Sequence, residues 1–308
     1  MSGLITPAGA PVVRDLVPAH LRAERTPRKT LSDNLFKAAM FLSISLALLT
    51  LAALIIDTLV TGRPRLNLDL LTNMPSARPA RAGLQSAIWG SLWVVAYTAL
   101  ISLPLGVGTA VYLEEFAPKN KWYIRLVELN IQNLAGVPSV VFGILGLAFI
   151  ARGPLNWGFT VGTGVMVLVI LVLPTVIIAS REAIRAVPPS LRDASLALGA
   201  TRWQTVWRQV LPSSVPGIAT GSILSVSRAV GESAPLLLLG ALTFVTFNPD
   251  GLDSGYTVLP LLIFKYTSDA KAEFHVVAAA GIVVLLVMLV ALNLTAILIR
   301  NKFQKRNY

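Results

Sequence analysis

The chain has 308 residues, of which 55% are hydrophobic and only 13% are charged, and its mean hydropathy is +0.70. Soluble globular domains carry about 25% charged residues, so this composition excludes an ordinary soluble protein. The absence of cysteine excludes disulfides, thiol catalysis and cysteine-ligated metals. The net charge of +11 would suit a nucleic-acid-binding protein, but the charges are distributed along the chain in a different pattern.

Long stretches without any charged residue recur along the chain, each near or above the ~20 apolar residues that cross a bilayer. A further stretch, 213–247, is interrupted only by Arg228 and Glu232. We therefore expect an all-α polytopic membrane protein with six transmembrane helices, because the stretches do not alternate as the strands of a membrane barrel would. The uninterrupted stretches are 38–56, 82–113, 129–151, 153–180 and 276–299.

These stretches predict helices and a simple domain organisation. Residues 1–34 are rich in proline and arginine and are expected to form a mobile cytoplasmic tail, followed by a six-helix domain over 35–303 and a basic cytoplasmic end at 304–308. The motif Gly136-Val137-Pro138-Ser139 predicts a kink in the third helix, and Asn293 predicts a hydrogen bond between helices. The predicted helices run approximately over 36–57, 84–113, 125–150, 160–181, 214–245 and 275–299.

The positive charges indicate the orientation of the chain. With six crossings and a cytoplasmic N-terminus, 18 of the 26 Lys and Arg residues fall inside, 7 fall outside, and Arg228 lies in the membrane. This bias predicts a multi-pass membrane protein with both termini in the cytoplasm. Four arginines in the first outside loop either attract an anion or are simply solvated; they are Arg63, Arg65, Arg78 and Arg81.

The longest inside loop, 182–212, predicts two short amphipathic helices that meet at Gly199, a favourable position for a helix C-cap. Pro189 or Ser190 can begin the first helix, and Thr201 can cap the second. Trp203 and Trp207 are four residues apart and therefore share a face. The apolar side chains of such a hairpin either lie on the membrane surface or enter a groove of a partner protein.

The same loop resembles the EAA motif of permease subunits of bacterial ABC importers. The family pattern is Glu-Ala-Ala, three residues, Gly, nine residues, Ile, one residue and Leu-Pro, and this chain keeps the spacing with substitutions at three positions. The resemblance implies the type I ABC importer permease fold, with the loop acting as the coupling segment that contacts an ATP-hydrolysing subunit. The matching residues are Asp193, Ala194, Ser195, Gly199, Leu211 and Pro212.

Two further segments resemble permeases of bacterial phosphate importers of the PstA type. They are Ala135-Gly136-Val137-Pro138-Ser139-Val140-Val141-Phe142-Gly143-Ile144-Leu145-Gly146-Leu147, similar to the third-helix signature of phosphate importer permeases, and Gly231-Glu232-Ser233-Ala234-Pro235-Leu236-Leu237, similar to a block of the PstA-type subunit. The resemblance implies a homologous PstC-type permease subunit, two ATP-binding subunits and an external phosphate-binding protein as partners. It also implies that this chain holds no cofactor. The sequence contains no Gly-rich loop followed by Gly-Lys-Ser/Thr, the phosphate-binding motif of many ATPases, so a partner would bind ATP.

Arg228, Glu232 and Ser233 are the candidate residues of the substrate pathway. A charge in the hydrocarbon core costs between ~3 and ~17 kcal/mol, and a guanidinium can hold two phosphate oxygens at once. Glu232, one helical turn after Arg228, would balance the guanidinium when the path is empty. The alternative is a static salt bridge that holds the helix to a partner subunit, although buried ion pairs often contribute no net stability.

The sequence therefore predicts a permease subunit of an ATP-driven phosphate importer, which is not itself an enzyme. Three other hypotheses remain. The cargo could be molybdate, sulfate or phosphonate. The chain could be an ion-coupled secondary anion carrier that works without an ATPase. A membrane-bound enzyme would need an acid, base or metal cluster, and the sequence presents none.

Overall fold

The computed structural model describes residues 27–118, 120–240 and 244–304. Within these ranges the chain is helical, and the β-type pairing found there is one isolated bridge between Thr160 and Gly255. The α-helices of these ranges are α1 (Pro27–Gly62), α2 (Leu68–Thr72), α3 (Gln85–Val111), α4 (Trp122–Ala135), α5 (Ser139–Leu145), α6 (Val161–Arg185), α7 (Pro189–Ala197), α8 (Arg202–Thr205), α9 (Leu211–Gly231), α10 (Ala234–Leu238), α11 (Leu259–Thr267) and α12 (Ala272–Gln304). Single π-helical segments follow α3 (Tyr112–Phe116) and α5 (Gly146–Ala151) and join α8 to α9 (Val206–Val210).

The chain divides into two compact units, the first ending at Asp57 and the second beginning at Thr58. In the first unit, α1 begins at Pro27, so the last eight residues of the predicted N-terminal tail are helical. The rest of that tail, residues 1–26, lies outside the described residues. At the other end α12 continues to Gln304, and the remainder of the predicted basic end also lies outside them.

In the described part of the chain, five helices are long and apolar enough to cross a membrane, and a sixth crossing follows if the bent pair formed by α4 and α5 is a single broken span. The two halves meet at 104°, at the kink predicted from Gly136-Val137-Pro138-Ser139. Glu128 of α4 contacts Arg181 at the end of α6, whereas the Ala151 carbonyl accepts a hydrogen bond from Gly158 N just before α6 begins. The pair therefore reaches from one end of α6 to the other, as a broken span must.

Helix α6 forms the centre of the second unit, with α3 and α9 packed against it. Its 25 residues are about 37 Å long, enough for the ~30 Å hydrocarbon core. Small residues allow the close approach of the neighbouring helices. A Cβ placed on Gly217 would lie 2.7 Å from the Ala183 Cβ, and one on Gly221 would lie 2.5 Å from the Ala179 Cβ.

The prediction of one continuous helix over 214–245 is wrong at both ends. Regular helix begins already at Arg202 and continues through the π-helical segment into α9, which ends at Gly231. Glu232 is extended (φ −72°, ψ 116°), and only the five-residue α10 follows. The sequence Gly231-Glu232-Ser233-Ala234-Pro235 explains the break, because Pro235 has no N–H to continue the helix.

The contact between α5 and α10 gives a prediction about stability. A Cβ on Gly143 would lie 2.7 Å from the Pro235 Cα and 2.8 Å from its carbonyl oxygen, and backbone cannot move aside as a side chain can. We expect Gly143→Val to lower the free energy of unfolding by about 1–3 kcal/mol through overpacking, measured as reduced thermal stability in detergent. Gly108→Val is the matched control, since among the described residues no atom beyond its chain neighbours and the nearby backbone of its own helix lies within 4 Å of its Cβ position. An equal loss in both variants would contradict the prediction.

Candidate functional site

Arg228 lies in the last turn of α9, close to the mid-height of the helical bundle. Helices α6 and α9 run antiparallel, with Gly217 against Ala183 and Gly221 against Ala179. Continuing this register along α9 places Arg228 level with the middle of α6. Arg228 thus lies near mid-height of the bundle formed by α6 and α9.

One face of α9 is left uncovered by the rest of the described chain. Its exposed residues recur at intervals of three and four, which is one helical stripe. Apart from Leu224 and Arg228 the stripe consists of small or hydroxyl-bearing residues, so a neighbouring helix or a solute can approach the backbone closely. The stripe consists of Ser213, Gly217, Thr220, Leu224, Arg228 and Gly231. Two of its members lie at its borders, because Gly217 also faces Ala183 of α6 and the Thr220 hydroxyl accepts a hydrogen bond from Arg300 Nη1 of α12.

The predicted Arg228–Glu232 pair is present but loose. The Arg228 Nε lies 3.5 Å from the Glu232 Oε1, and the Arg228 side chain is 59% exposed whereas that of Glu232 is 15% exposed. Glu232 also lines a cavity of about 10 Å³ together with Ser91, a volume close to that of one water molecule. The guanidinium therefore points away from its own chain and can exchange its partner, while the carboxylate stays partly buried.

The break at Glu232 and Ser233 occurs at the same depth as Arg228. Ser233 precedes α10, and its carbonyl accepts a hydrogen bond from Leu237 N, while its side chain makes no capping hydrogen bond. The short α10 packs on α5, which itself follows the break in the third span. Non-helical backbone at membrane depth is tolerated where protein buries it or where it lines a cavity. The two broken spans thus meet at the candidate site, an arrangement typical of substrate pathways in transporters.

An apolar groove of about 370 Å³ lies between α3, α9 and α12. Ser227 and Asn293 line it, and their side chains are hydrogen bonded to each other, which confirms the interhelical hydrogen bond predicted for Asn293. The groove uses Ile223, Ser227 and Val230, which lie on a different face of α9 from Arg228. Arg228 therefore does not enter this groove.

The loop after α6 folds as the predicted hairpin. Helix α7 begins at Pro189 and ends in a Schellman motif, with Ala200 N donating to the Ser195 carbonyl and Gly199 N to the Leu196 carbonyl. Gly199 has φ +83°, a conformation that glycine adopts without strain. Thr201 caps α8 in a reciprocal capping box with Gln204, as its position predicted.

The predicted coupling residues occupy different parts of the hairpin. Asp193 and Ala194 are exposed on α7, and the Ser195 hydroxyl lies 2.9 Å from the Thr205 hydroxyl, joining α7 to α8. Leu211 and Pro212 form the start of α9, about 25 Å along its axis from Arg228. The predicted coupling residues on α7, in its C-terminal turn and at the start of α9 are therefore separated by the length of α9 from Arg228, Glu232 and Ser233.

The apolar side chains of the hairpin also separate into two groups. Trp203 and Trp207 lie together (ring centroids 5.4 Å apart), and Trp203 packs on Phe116 at the end of α3 (5.6 Å). Leu198, by contrast, is 90% exposed at the tip of the hairpin. A groove of about 320 Å³ beside it is lined by Leu191, Ala194, Ser195, Leu198, Ala200, Gln204, Arg208 and Gln209.

An ion-pair network at the hairpin end of the bundle was missed in the sequence. Arg181, inside α6 and buried, pairs with Glu114 (Nε–Oε1 2.6 Å) and with Glu128 of α4. Arg185 also pairs with Glu114 (Nη2–Oε1 2.8 Å). The available signal was two adjacent glutamates ending one predicted span and two arginines ending another span on the same side of the membrane.

Comparisons with known proteins agree with this architecture. The chain matches the family described as binding-protein-dependent transport system inner membrane component over residues 102–306. It is 37% identical over 221 residues to the phosphate transport system permease protein PstA 1 of Mycobacterium tuberculosis, covering 71% of this chain and 70% of that protein. It is 32% identical over 285 residues to the probable ABC transporter permease protein YqgI of Bacillus subtilis, covering 87% of this chain and 95% of that one.

Solved structures show a similar fold at low sequence identity. One is a chain of a bacterial alginate ABC transporter in complex with an alginate pentasaccharide-bound periplasmic protein, with a TM-score of 0.67 at 18% identity, covering 92% of this chain and 99% of that one. Another belongs to the MetNI methionine ABC transporter in an inward-facing conformation, with a TM-score of 0.59 at 18% identity. The match covers 70% of this chain and 94% of that one. The resemblance drawn from the hairpin motif is therefore confirmed, and the chain belongs to the family of binding-protein-dependent transport system inner membrane components.

Proposed function

We propose that this chain is one of two membrane-spanning subunits of an ATP-driven importer of inorganic phosphate. The observation that carries the proposal is the exposed guanidinium of Arg228 at mid-depth, beside two broken spans and on a face of α9 that its own chain leaves uncovered. Phosphate offers several oxygens that a guanidinium can hold bidentately. Two relatives, the Mycobacterium tuberculosis protein above and one of Yersinia pestis, 32% identical over 264 residues, carry the name phosphate transport system permease protein.

In this proposal the exposed stripe of α9 faces a path shared with a homologous PstC-type subunit. Arg228 receives the anion, and Glu232 balances its charge when the path is empty. Ser233 sits at the break, where its hydroxyl can donate to a passing oxyanion. A tight phosphate pocket in this chain is not required, because an external phosphate-binding protein supplies the affinity.

The driving force enters at the other end of the molecule. Two ATP-binding subunits dock on the cytoplasmic side, where the exposed tip around Leu198 and its neighbouring groove present apolar surface to a partner. Trp203 and Trp207, packed towards the end of α3, lie at the membrane surface instead. Both termini face the cytoplasm, in agreement with the excess of Lys and Arg on that side.

Transport by the purified complex in liposomes tests the proposal. We expect uptake of radiolabelled phosphate to require ATP and the binding protein. Uptake should also persist when sulfate, molybdate or phosphonate is present in tenfold excess, which requires at least about 1.4 kcal/mol of discrimination in favour of phosphate. Strong competition by one of these anions would identify it as the cargo instead. Uptake by this chain alone, without ATP, would replace the proposal by an ion-coupled carrier.

A further inference from the structure

One arginine, Arg192, joins the hairpin helix α7 to α3 and α6, while the Ser195 hydroxyl joins α7 to α8. Among the described residues, α7 has no buried residue, so apolar packing holds it only weakly. Arg192 donates from Nη1 to the Val187 carbonyl (2.7 Å) and from Nη2 to the Ile184 carbonyl (2.9 Å), at the end of α6. It also donates from Nε (3.2 Å) and Nη2 (2.9 Å) to Oε1 of Glu115.

Glu115 brings α3 into the same contact. It lies in the π-helical segment Tyr112–Phe116, and its side chain is 11% exposed while that of Arg192 is 23% exposed. The preceding residue, Glu114, points instead to Arg181 and Arg185 of α6. Two adjacent carboxylates thus hold two different elements, α6 through Glu114 and α7 through Glu115.

A partly buried guanidinium with four hydrogen bonds is a stiff connection, because the planar group fixes both direction and distance. Salt screens such a pair less than it screens pairs at the surface. A displacement of α7 therefore moves the ends of α3 and α6 with it. These two helices lead directly to the mid-membrane region where Arg228 and Glu232 lie.

We propose that the Arg192–Glu115 pair is the link that transmits hairpin movement to the transport path. This inference rests on the proposed function, in which an ATP-hydrolysing partner moves the hairpin. Arg192 and Glu115 are positioning residues that touch neither ATP nor phosphate. Without the pair, α7 follows the ATPase while α3 and α6 stay behind, and ATP is hydrolysed without movement of the cargo.

The test measures phosphate imported per ATP hydrolysed by the reconstituted complex. We expect Arg192→Gln and Glu115→Gln to lower this ratio by about tenfold, within the range typical of allosteric coupling, while the basal ATPase rate and the assembly of the complex persist. The double variant should be no worse than either single variant, because both lose the same interaction. Glu182→Gln is the matched control, since Glu182 is 65% exposed and pairs only with Arg185 among the described residues.

Each other outcome decides against the link. An unchanged ratio in both single variants overturns it, including the case in which ATPase activity and uptake fall in parallel in complexes that still assemble, which is the mark of a purely structural pair. If neither glutamine variant assembles, Arg192→Lys keeps a charge at the site but not the fork of donors, and a normal ratio there also overturns the inference. A wild-type complex that imports phosphate without ATP would refute the proposed function itself rather than this link.

Discussion

Phosphate uptake should fall by about 100-fold in the Arg228→Ala variant, because hydrogen bonds to charged groups contribute about 1.5–3 kcal/mol each and the variant removes them from the middle of the path. Assembly should be unaffected, since the side chain is 59% exposed and its contact with Glu232 is long. Uptake of radiolabelled phosphate by cells or liposomes, normalised to the amount of complex, is the measurement.

Two companion variants separate charge from geometry. Arg228→Lys keeps the charge but loses bidentate binding, so we expect a loss of about tenfold. Glu232→Gln should also abolish uptake, because Arg228 then has no balancing charge in the empty path. Arg125→Ala, at an exposed position of α4, is the control for loss of an arginine. Normal uptake in both Arg228→Ala and Glu232→Gln would refute the site.

The second large effect is expected at Gly199. An L-residue in the left-handed conformation costs about 1–2 kcal/mol, and Gly199→Trp adds a large ring at the exposed turn of the hairpin. We expect the hairpin to lose its shape, the ATP-binding subunits to be lost during purification, and ATP-dependent uptake to disappear. Co-purification followed by an ATPase assay measures this directly.

Gly199→Asn provides the matched control, because asparagine tolerates positive φ better than other L-residues. It should retain the partner and most of the uptake. Retention of the ATP-binding subunits by Gly199→Trp would show that the hairpin turn is not the docking site. Undiminished uptake by Gly199→Trp would favour a carrier that works without an ATPase.

Much of this fold follows from local patterns in the sequence. The kink at Gly136-Val137-Pro138-Ser139 and both helices of the hairpin were predicted, and the structure confirms them. Five of the six predicted spans are single long helices in the described residues, and the bent pair of α4 and α5 corresponds to the remaining one. The caps at Gly199 and Thr201 could be predicted because each depends on residues within one helical turn. Arg228 lies on the fifth predicted span, as expected, although its helix begins earlier and ends sooner than predicted.

The break at Glu232 was missed because apolar composition alone favoured one long helix over 214–245. Gly231 and the missing N–H of Pro235 weaken the helix at this point, and the structure adds the packing of α10 on α5 directly after the break. The exposed stripe of α9 could not be predicted from the sequence either, because its exposure depends on which faces of α9 are covered by α3, α6 and α12.

The sequence by itself determined that this chain crosses the membrane through apolar helices, carries one charged pair within them, and displays a capped hairpin on its more basic side. Only the tertiary structure decided which charges meet: Arg181 with Glu114 and Glu128, and Arg192 with Glu115. The physical reason is the separation along the sequence over which each kind of interaction acts. Helix periodicity and capping act over a few neighbouring residues, whereas these ion pairs join residues 53 to 77 positions apart and depend on the register between packed helices.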